Sequence, residues 1–411
     1  AQGTRPRKAA MLQHIRFTTA GESHGKGTLV ILEGVPAGLP VTPMDVAEDL
    51  ARRQLGYGRG GRMAIEKDAG EVLSGIRLGE TLGSPVAIWI RNRDHSNWEV
   101  AMSVDACPEA DDEALRRVFL PRPGHADLVG MLKYDRADAR DILERSSARE
   151  TSARVAAGAV ARRLLAELGV SVGSHVTRIG AEAADRPEQW PSDLNEAADA
   201  SELRCLDPSA EDRMKTAIDA AREAGDTLGG EFEVIATGLP VGLGSHVSWD
   251  RRLDGRLAGA LMSIQAMKGV EIGLGFEAAR RRGSSVHDEI VADPAVERTG
   301  GFQRTGNHAG GLEGGTTTGE PLVARVAMKP LSSLTRPLTS VDVRTGEAAG
   351  AVRERSDVCA VPAAAVVGEA MVALVLADAM VEKFGGDSLG ETRTNLEAYL
   401  RRACERARRW E

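Results

Sequence analysis

Glu33-Gly34-Val35-Pro36-Ala37-Gly38-Leu39-Pro40 and Thr237-Gly238-Leu239-Pro240-Val241-Gly242-Leu243-Gly244 read as two versions of one turn. Each follows a β-branched run, at residues 29–32 and 232–236, and each precedes a helical pattern. The likeness is either coincidence or the trace of an internal duplication. A duplication would favour two similar halves around one core, since no low-complexity linker separates them. The 411 residues allow two or three domain-sized units or one large one.

Working outward, strand patterns at 14–19 and 28–33 bracket a glycine-rich loop, and Pro36, Gly38 and Pro40 turn the chain. Thr42 and Pro43 open a helix to about residue 55. Strands are expected at 64–66, 71–76 and 85–90, then an acidic, exposed insertion at 105–117. Ser147-Ala148-Arg149-Glu150 has the form of a capping box, opening an alanine-rich helix that Gly169 stops. Residues 181–201 read as a surface loop and 212–224 as a helix. The apolar segment 361–381 contains Glu369 and Asp378, which marks a buried helix and not a membrane span. Strand pairs mixed with long helices give the α+β class.

A net charge of -8 and only 3% aromatic residues argue against a general nucleic-acid binder. Yet 44 of the 52 basic residues are arginine, through codon bias or as fork-shaped donors for phosphates and carboxylates. The four cysteines form no Cys-x-x-Cys pair, which suits a reducing cytoplasm and offers no metal framework. Residues 1–10 carry no apolar run, so they read as a disordered extension or cloning remnant and not as a secretory signal.

Gly21-Glu22-Ser23-His24-Gly25 matches the Gly-x-Ser-x-Gly nucleophile elbow, but a strand pattern follows it where the elbow needs a helix. What remains is a tight turn presenting a hydroxyl, an imidazole and, at Lys26, an ammonium group, which suits an anion as well as a plain turn. Gly56, Gly58 and Gly61 spell a dinucleotide fingerprint with a helix before it instead of a strand, so that reading is rejected. Arg53, Arg59 and Arg62 surround that loop, either solvated or closing on an anionic substrate.

Pro121-Arg122-Pro123-Gly124-His125-Ala126-Asp127 pins an imidazole between an arginine and a carboxylate. A fixed histidine can move protons near neutrality. Arg145-Ser146-Ser147-Ala148-Arg149-Glu150-Thr151 places arginines and hydroxyls at the expected helix start, where positive charge is unfavourable unless an anion compensates. Residues 307–319 hold five glycines with His308 and Glu313, suited to close approach of a flat or phosphorylated ligand or to a mobile lid. In Arg355-Ser356-Asp357-Val358-Cys359, Asp357 either pairs Arg355 or acts as a base.

Taken in order, these segments resemble those of the chorismate synthase family over residues 11–399. The resemblance is nearest the actinobacterial branch, with Arg355-Ser356-Asp357-Val358-Cys359 where many members have Arg-His-Asp-Pro-Cys. It implies a single large β-α-β sandwich with internal pseudo-symmetry: a catalytic domain at 11–400, a tail at 401–411, and assembly as a homotetramer. It implies a lyase that converts 5-enolpyruvylshikimate 3-phosphate to chorismate and phosphate by anti-1,4-elimination with reduced FMN. His24 would serve the leaving phosphate and His125 the reduced flavin. Asp357 would take the ring proton directly or through the flavin N5. Ser23, Arg53, Arg59, Arg122 and Arg355 would hold the substrate. Arg145, Ser146, Ser147, Gln265, Ala266, Gly314, Lys329, Pro330, Leu331, Ser332, Ser333 and Arg355 would hold FMN. Arg53 and Arg59 are also assignable to NADP, although no nucleotide fold surrounds them. NADPH or an external flavin reductase would supply the reduced flavin. The resemblance implies no membrane or nucleic-acid partner.

Overall fold

A computed structural model describes residues 11–59, 68–293, 295–354 and 356–409. The strand expected at 64–66, together with Gly61, Arg62, Arg355 and residues 1–10, lies outside them. In the first half, β1 (Arg16–Gly21) and β2 (Gly27–Glu33) form a hairpin, α1 (Pro43–Gln54) follows, and β3 (Gly70–Ser74) and β4 (Val86–Arg91) complete a sheet. After α2 (Asp127–Tyr134) and α3 (Arg140–Ser146), α4 (Thr151–Glu167) closes the unit. The second half repeats the plan. It has β5 (Ser171–Ile179), α5 (Leu194–Asp199), α6 (Pro208–Ala224), β6 (Gly230–Thr237), α7 (Leu253–Met262), β7 (Met267–Ile272), β8 (Leu322–Met328) and α8 (Val361–Phe384). Helix α9 (Leu389–Arg409) ends the described chain and runs across the boundary expected at 400.

The strand orders are β1-β2-β4-β3 and β5-β6-β8-β7, every neighbour antiparallel. The second sheet adds a short edge at Glu182–Ala183. Helix α4 packs on the first sheet, α8 on the second, and the two helices on each other, giving a β-α-β sandwich. The contact is close because small residues face it: a Cβ on Gly158 would stand 2.3 Å from the Ala370 Cβ. Helix α8 is apolar all round because it is buried all round, as its sequence predicts. Its Asp378 accepts from the Gln13, His14 and Ile15 backbone N–H groups and from Arg256, tying the start of β1 to the core.

The duplicated turn is real at the level of atoms. Thr81 Oγ1 donates to Pro36 O and accepts from Leu39 N; Thr317 Oγ1 donates to Pro240 O and accepts from Leu243 N. The backbones match as well, with Gly38 N donating to Thr81 O and Gly242 N to Thr317 O. These four glycines of the two turns, Gly34, Gly38, Gly238 and Gly242, all have positive φ.

Several expectations change. Residues 181–201 are not all loop, since α5 lies within them, capped by Asp193. Helix α6 begins earlier than 212, at Pro208, where Asp207 caps it. The Ser147 capping box is only half made: Ser147 Oγ accepts from Arg149 N, while Glu150 turns away to Thr19, Arg154 and Gln265. Arg145 and Ser146 close α3 instead of opening α4. The glycine segment 307–319 is packed, not a free lid: Gly310 passes against Gly273 and Gly311 against Pro321, where a Cβ would collide with backbone.

Candidate functional site

The loop between β1 and β2 holds Ser23 and His24, both buried. Gly21, at φ +106°, lets it turn, for a Cβ there would meet Gly27 O at 2.2 Å. Asn92, just past β4, ties the loop by donating to Ser23 O (3.3 Å) and Gly25 O (2.9 Å). His24 Nδ1 lies 2.8 Å from Glu144 Oε1, and His24 N donates to Glu144 Oε2 at 2.8 Å. Its ring stacks on Trp98 with centroids 3.7 Å apart. Burial opposes the charge on Glu144, but the bonds from His24 and Arg140 win and hold its carboxyl below the usual range. No helix follows Gly25; β2 does, so the nucleophile-elbow geometry is missing.

A second imidazole is held the same way. His125 Nδ1 lies 2.6 Å from Asp127 Oδ1, and Arg122 grips that fully buried carboxylate through Nε (2.9 Å) and Nη2 (3.1 Å). Arg122 Nη2 also approaches Nδ1, at 3.1 Å. Both are donors toward Asp127, so the ring proton sits on Nδ1 and Nε2 is left to exchange protons. Burial would raise the Asp127 carboxyl, yet His125 and Arg122 together hold it far below the carboxylate range.

Asp357 pairs with Arg59 at 2.9 Å. Val352, Glu354 and Val358 lie close to all three groups. Val352 N donates to Leu120 O beside Arg122, Glu354 takes Arg140 of the His24 cluster at 3.1 Å, and Val358 N donates to Gly58 O next to Arg59. Arg53 is buried and already donates to Thr151 Oγ1 (2.9 Å) and Ala148 O (2.9 Å), beside Asp68 at 3.4 Å. That is the role of a brace under the α4 start. Arg149 reaches the same Asp68 at 2.8 Å.

Among the described residues, the expected flavin residues form a strip from which Gly314 is set apart. Arg145 donates to Thr19 O and Gly21 O, close to Glu150. Gln265 Nε2 donates to Glu150 Oε2 at 3.1 Å, and Lys329 N to Ala266 O at 3.0 Å. Lys329 Nζ reaches Gly124 O beside His125, and Ser333 Oγ accepts from Arg122 at 2.8 Å. Gly314 is not brought to this strip; its near neighbour is His246, in the segment leading to α7. A cavity of about 790 Å³ has Arg145 and Gln265 in its wall, with Arg154, Thr19 and Met371, but neither histidine.

An anionic, hydrogen-bonding cofactor fits these residues. Gln265 Oε1 is buried with no partner among the described residues. Lys329 is pushed below its usual value by burial and by Lys268, a deficit of negative charge that a phosphate would relieve. Ala266, a non-glycine residue, is held at φ +69° in the left-handed region.

Sequence reasoning missed Glu144, Trp98 and Asn92. The i,i+4 pair Arg140–Glu144 on α3 was visible, but nothing local connects it to His24.

Two carboxylate-anchored imidazoles among arginines define an enzyme that moves protons on a polyanionic small molecule. The chorismate synthase family model matches residues 15–381. The chorismate synthase of Geobacter sulfurreducens is 60% identical over 389 residues, 94% of this chain and 98% of that one. That of Mycobacterium avium is 56% identical over 397 residues, covering 95% and 98%. A crystal structure of chorismate synthase superposes with a TM-score of 0.77 at 45% identity, covering 96% of this chain and 99% of that one. The chain belongs to the chorismate synthase family. It is a carbon–oxygen lyase of the shikimate pathway, releasing phosphate from 5-enolpyruvylshikimate 3-phosphate to give chorismate. The family works with a reduced flavin.

Proposed function

We propose that this chain carries out its elimination with FMN as the flavin, at a site formed by the His24, His125 and Asp357 groups. The observation that carries this reading is that Val352, Glu354 and Val358 bond close to all three groups, at Leu120 O, Arg140 and Gly58 O. Reduced FMN bound there would supply transient electron density to the substrate during phosphate loss. Arg145, Ser146, Ser147, Gln265, Ala266 and Lys329 to Ser333 would hold it, and Lys329 would counter its negative charge. Gly314 and Arg355 belong to this set by resemblance alone.

His24 supplies a proton or hydrogen bond to the departing phosphate. His125, fixed through Nδ1, exchanges its proton at Nε2 next to the cofactor strip. Asp357 accepts the ring proton, with Arg59 holding its carboxylate. Arg59 and Arg122 offset substrate charge where it grows, and Ser23 and Arg355 complete the substrate contacts. Arg53 supports the site from beneath, so neither NADP nor substrate is needed to explain its burial. The four cysteines, with no Cys-x-x-Cys pair in the sequence, suit a reducing cytoplasm. A homotetramer supplied with reduced flavin by NADPH or an external reductase completes the reading.

The test mixes the protein anaerobically with 5-enolpyruvylshikimate 3-phosphate and chemically reduced FMN, following chorismate absorbance and phosphate. Turnover with FMN is expected. Folded, FMN-bound protein without turnover would overturn the cofactor reading. Fluorophosphonate should leave Ser23 unlabelled, because a strand follows its loop where a nucleophile elbow needs a helix.

A further inference from the structure

We propose that Glu144 is a positioning residue of the elimination: its carboxylate keeps the His24 ring proton on Nδ1, so that proton exchange at the phosphate takes place at Nε2. The inference rests on the role given to His24 above and assigns how that role is set.

The geometry leaves little freedom. Glu144 Oε1 faces His24 Nδ1 at 2.8 Å while Oε2 accepts from the backbone N–H of the same residue at 2.8 Å. A carboxylate can only accept, so Nδ1 must carry the hydrogen. The ring plane is set independently by the Trp98 stack, over which Arg116 lies 3.9 Å from the centroid. Arg140 donates to the same Oε1 at 3.1 Å, but its other arm is taken by Glu354 at 3.1 Å. Arg140 therefore orients Glu144 without drawing it off the imidazole. Among the described residues, the titratable and charged groups around the pair include Arg140, Glu354 and Arg116, with His95 Nδ1 donating to His24 O at 3.1 Å. Glu144 is side-chain buried to 3% exposure, so water does not compete for the bond. The same device recurs at His125 and Asp127, where Arg122 stands in the place of Arg140. Two imidazoles in one site share a buried carboxylate on Nδ1 and an arginine behind it, a pattern that fixes ring tautomers.

The test uses the full chain, ¹⁵N-labelled at histidine, with Glu144→Gln, Glu144→Asp and His24→Ala variants. In the wild type the His24 signals should show Nδ1 protonated and Nε2 bare in the neutral ring. In Glu144→Gln the amide can donate as well as accept, so the signals should shift toward a mixture of tautomers. Turnover should fall about 10- to 100-fold with KM changed less than about threefold, the scale for partners behind a reacting group. Glu144→Asp keeps an acceptor-only group and should recover much of both signals and turnover, which separates positioning from a folding defect. Unchanged tautomer or unchanged kcat in Glu144→Gln, with His24→Ala inactive, overturns the role of Glu144 alone. Near-wild-type turnover in His24→Ala overturns the role of His24 and that of Glu144 with it.

Discussion

Arg59 Nη1 lies 2.9 Å from Asp357 Oδ2, clasping the glycine loop after α1 to the segment that enters α8. Both side chains are mostly buried, at 12% and 21% exposure, so the pair is shielded but reachable. As a mere clasp, its loss from either side would have the same effect. As a base with its orienting cation, Asp357→Asn should lower kcat by about 10²- to 10⁴-fold. Arg59→Met should act more on the KM of the anionic substrate. Steady-state kinetics on both variants decide it: equal, small effects would reduce the pair to a clasp.

Glu369 on α8 is fully buried yet ionised. Burial alone would raise it, but Arg52, Arg204 and Arg162 hold it down to about 2 from an ordinary value of 4.5. A carboxyl depressed by folding stabilises the fold above its unfolded value and loses that contribution as pH falls through the folded one. Stability should therefore decline between pH 4.5 and about 2. Glu369→Ala, which removes the buried carboxylate that three guanidiniums share, should cost about 3–5 kcal/mol at pH 7. Glu369→Gln should cost less and flatten the acid limb. Urea unfolding across that pH range provides the measurement, and an acid limb as steep in the glutamine variant would refute the assignment.

What was legible in the sequence was local. The turn at Gly34 to Pro40, the Thr42 cap of α1 and the all-apolar α8 each depend on residues a few positions apart, and all three form as read. The site motifs were legible as types of residue, but their partners were not. His24 meets Glu144 and Trp98 only because α3 and the chain after β4 fold back over the hairpin loop. Glu150 satisfies the capping rule in sequence, and then tertiary bonds from Thr19 and Gln265, with the i,i+4 pair to Arg154, outcompete the cap. The glycines of 307–319 signalled close approach correctly, but the approaching group is the chain's own backbone at Gly273 and Pro321.

Lys329 has too little negative charge around it: burial and Lys268 both disfavour its proton. An FMN phosphate beside it should restore the balance. Lys329→Met is expected to weaken FMN binding about 10- to 100-fold, the worth of one charge-assisted bond. Lys268→Ala, removing a charge one step further away, should have a smaller effect. Titration by flavin fluorescence at two salt concentrations separates the cases. Salt dependence that is identical in Lys329→Met and the wild type would place the phosphate elsewhere.

The paired turns allow one half of the molecule to predict the other. A Cβ on Gly34 would stand 1.9 Å from His14 O, and one on Gly238 would stand 2.1 Å from Gly169 O. Gly38 has a similar φ, +76°, but nothing lies within 4 Å of its Cβ position. Gly38→Ala should thus cost only the backbone term, about 1–2 kcal/mol. Gly34→Ala and Gly238→Ala must add displacement of a neighbouring carbonyl, and both should cost more than Gly38→Ala by a similar margin. Urea midpoints for the three variants are the measurement. Equal costs at Gly34 and Gly38 would mean that backbone conformation alone governs these turns. A large gap between Gly34 and Gly238 would show that the two halves share topology without sharing energetics.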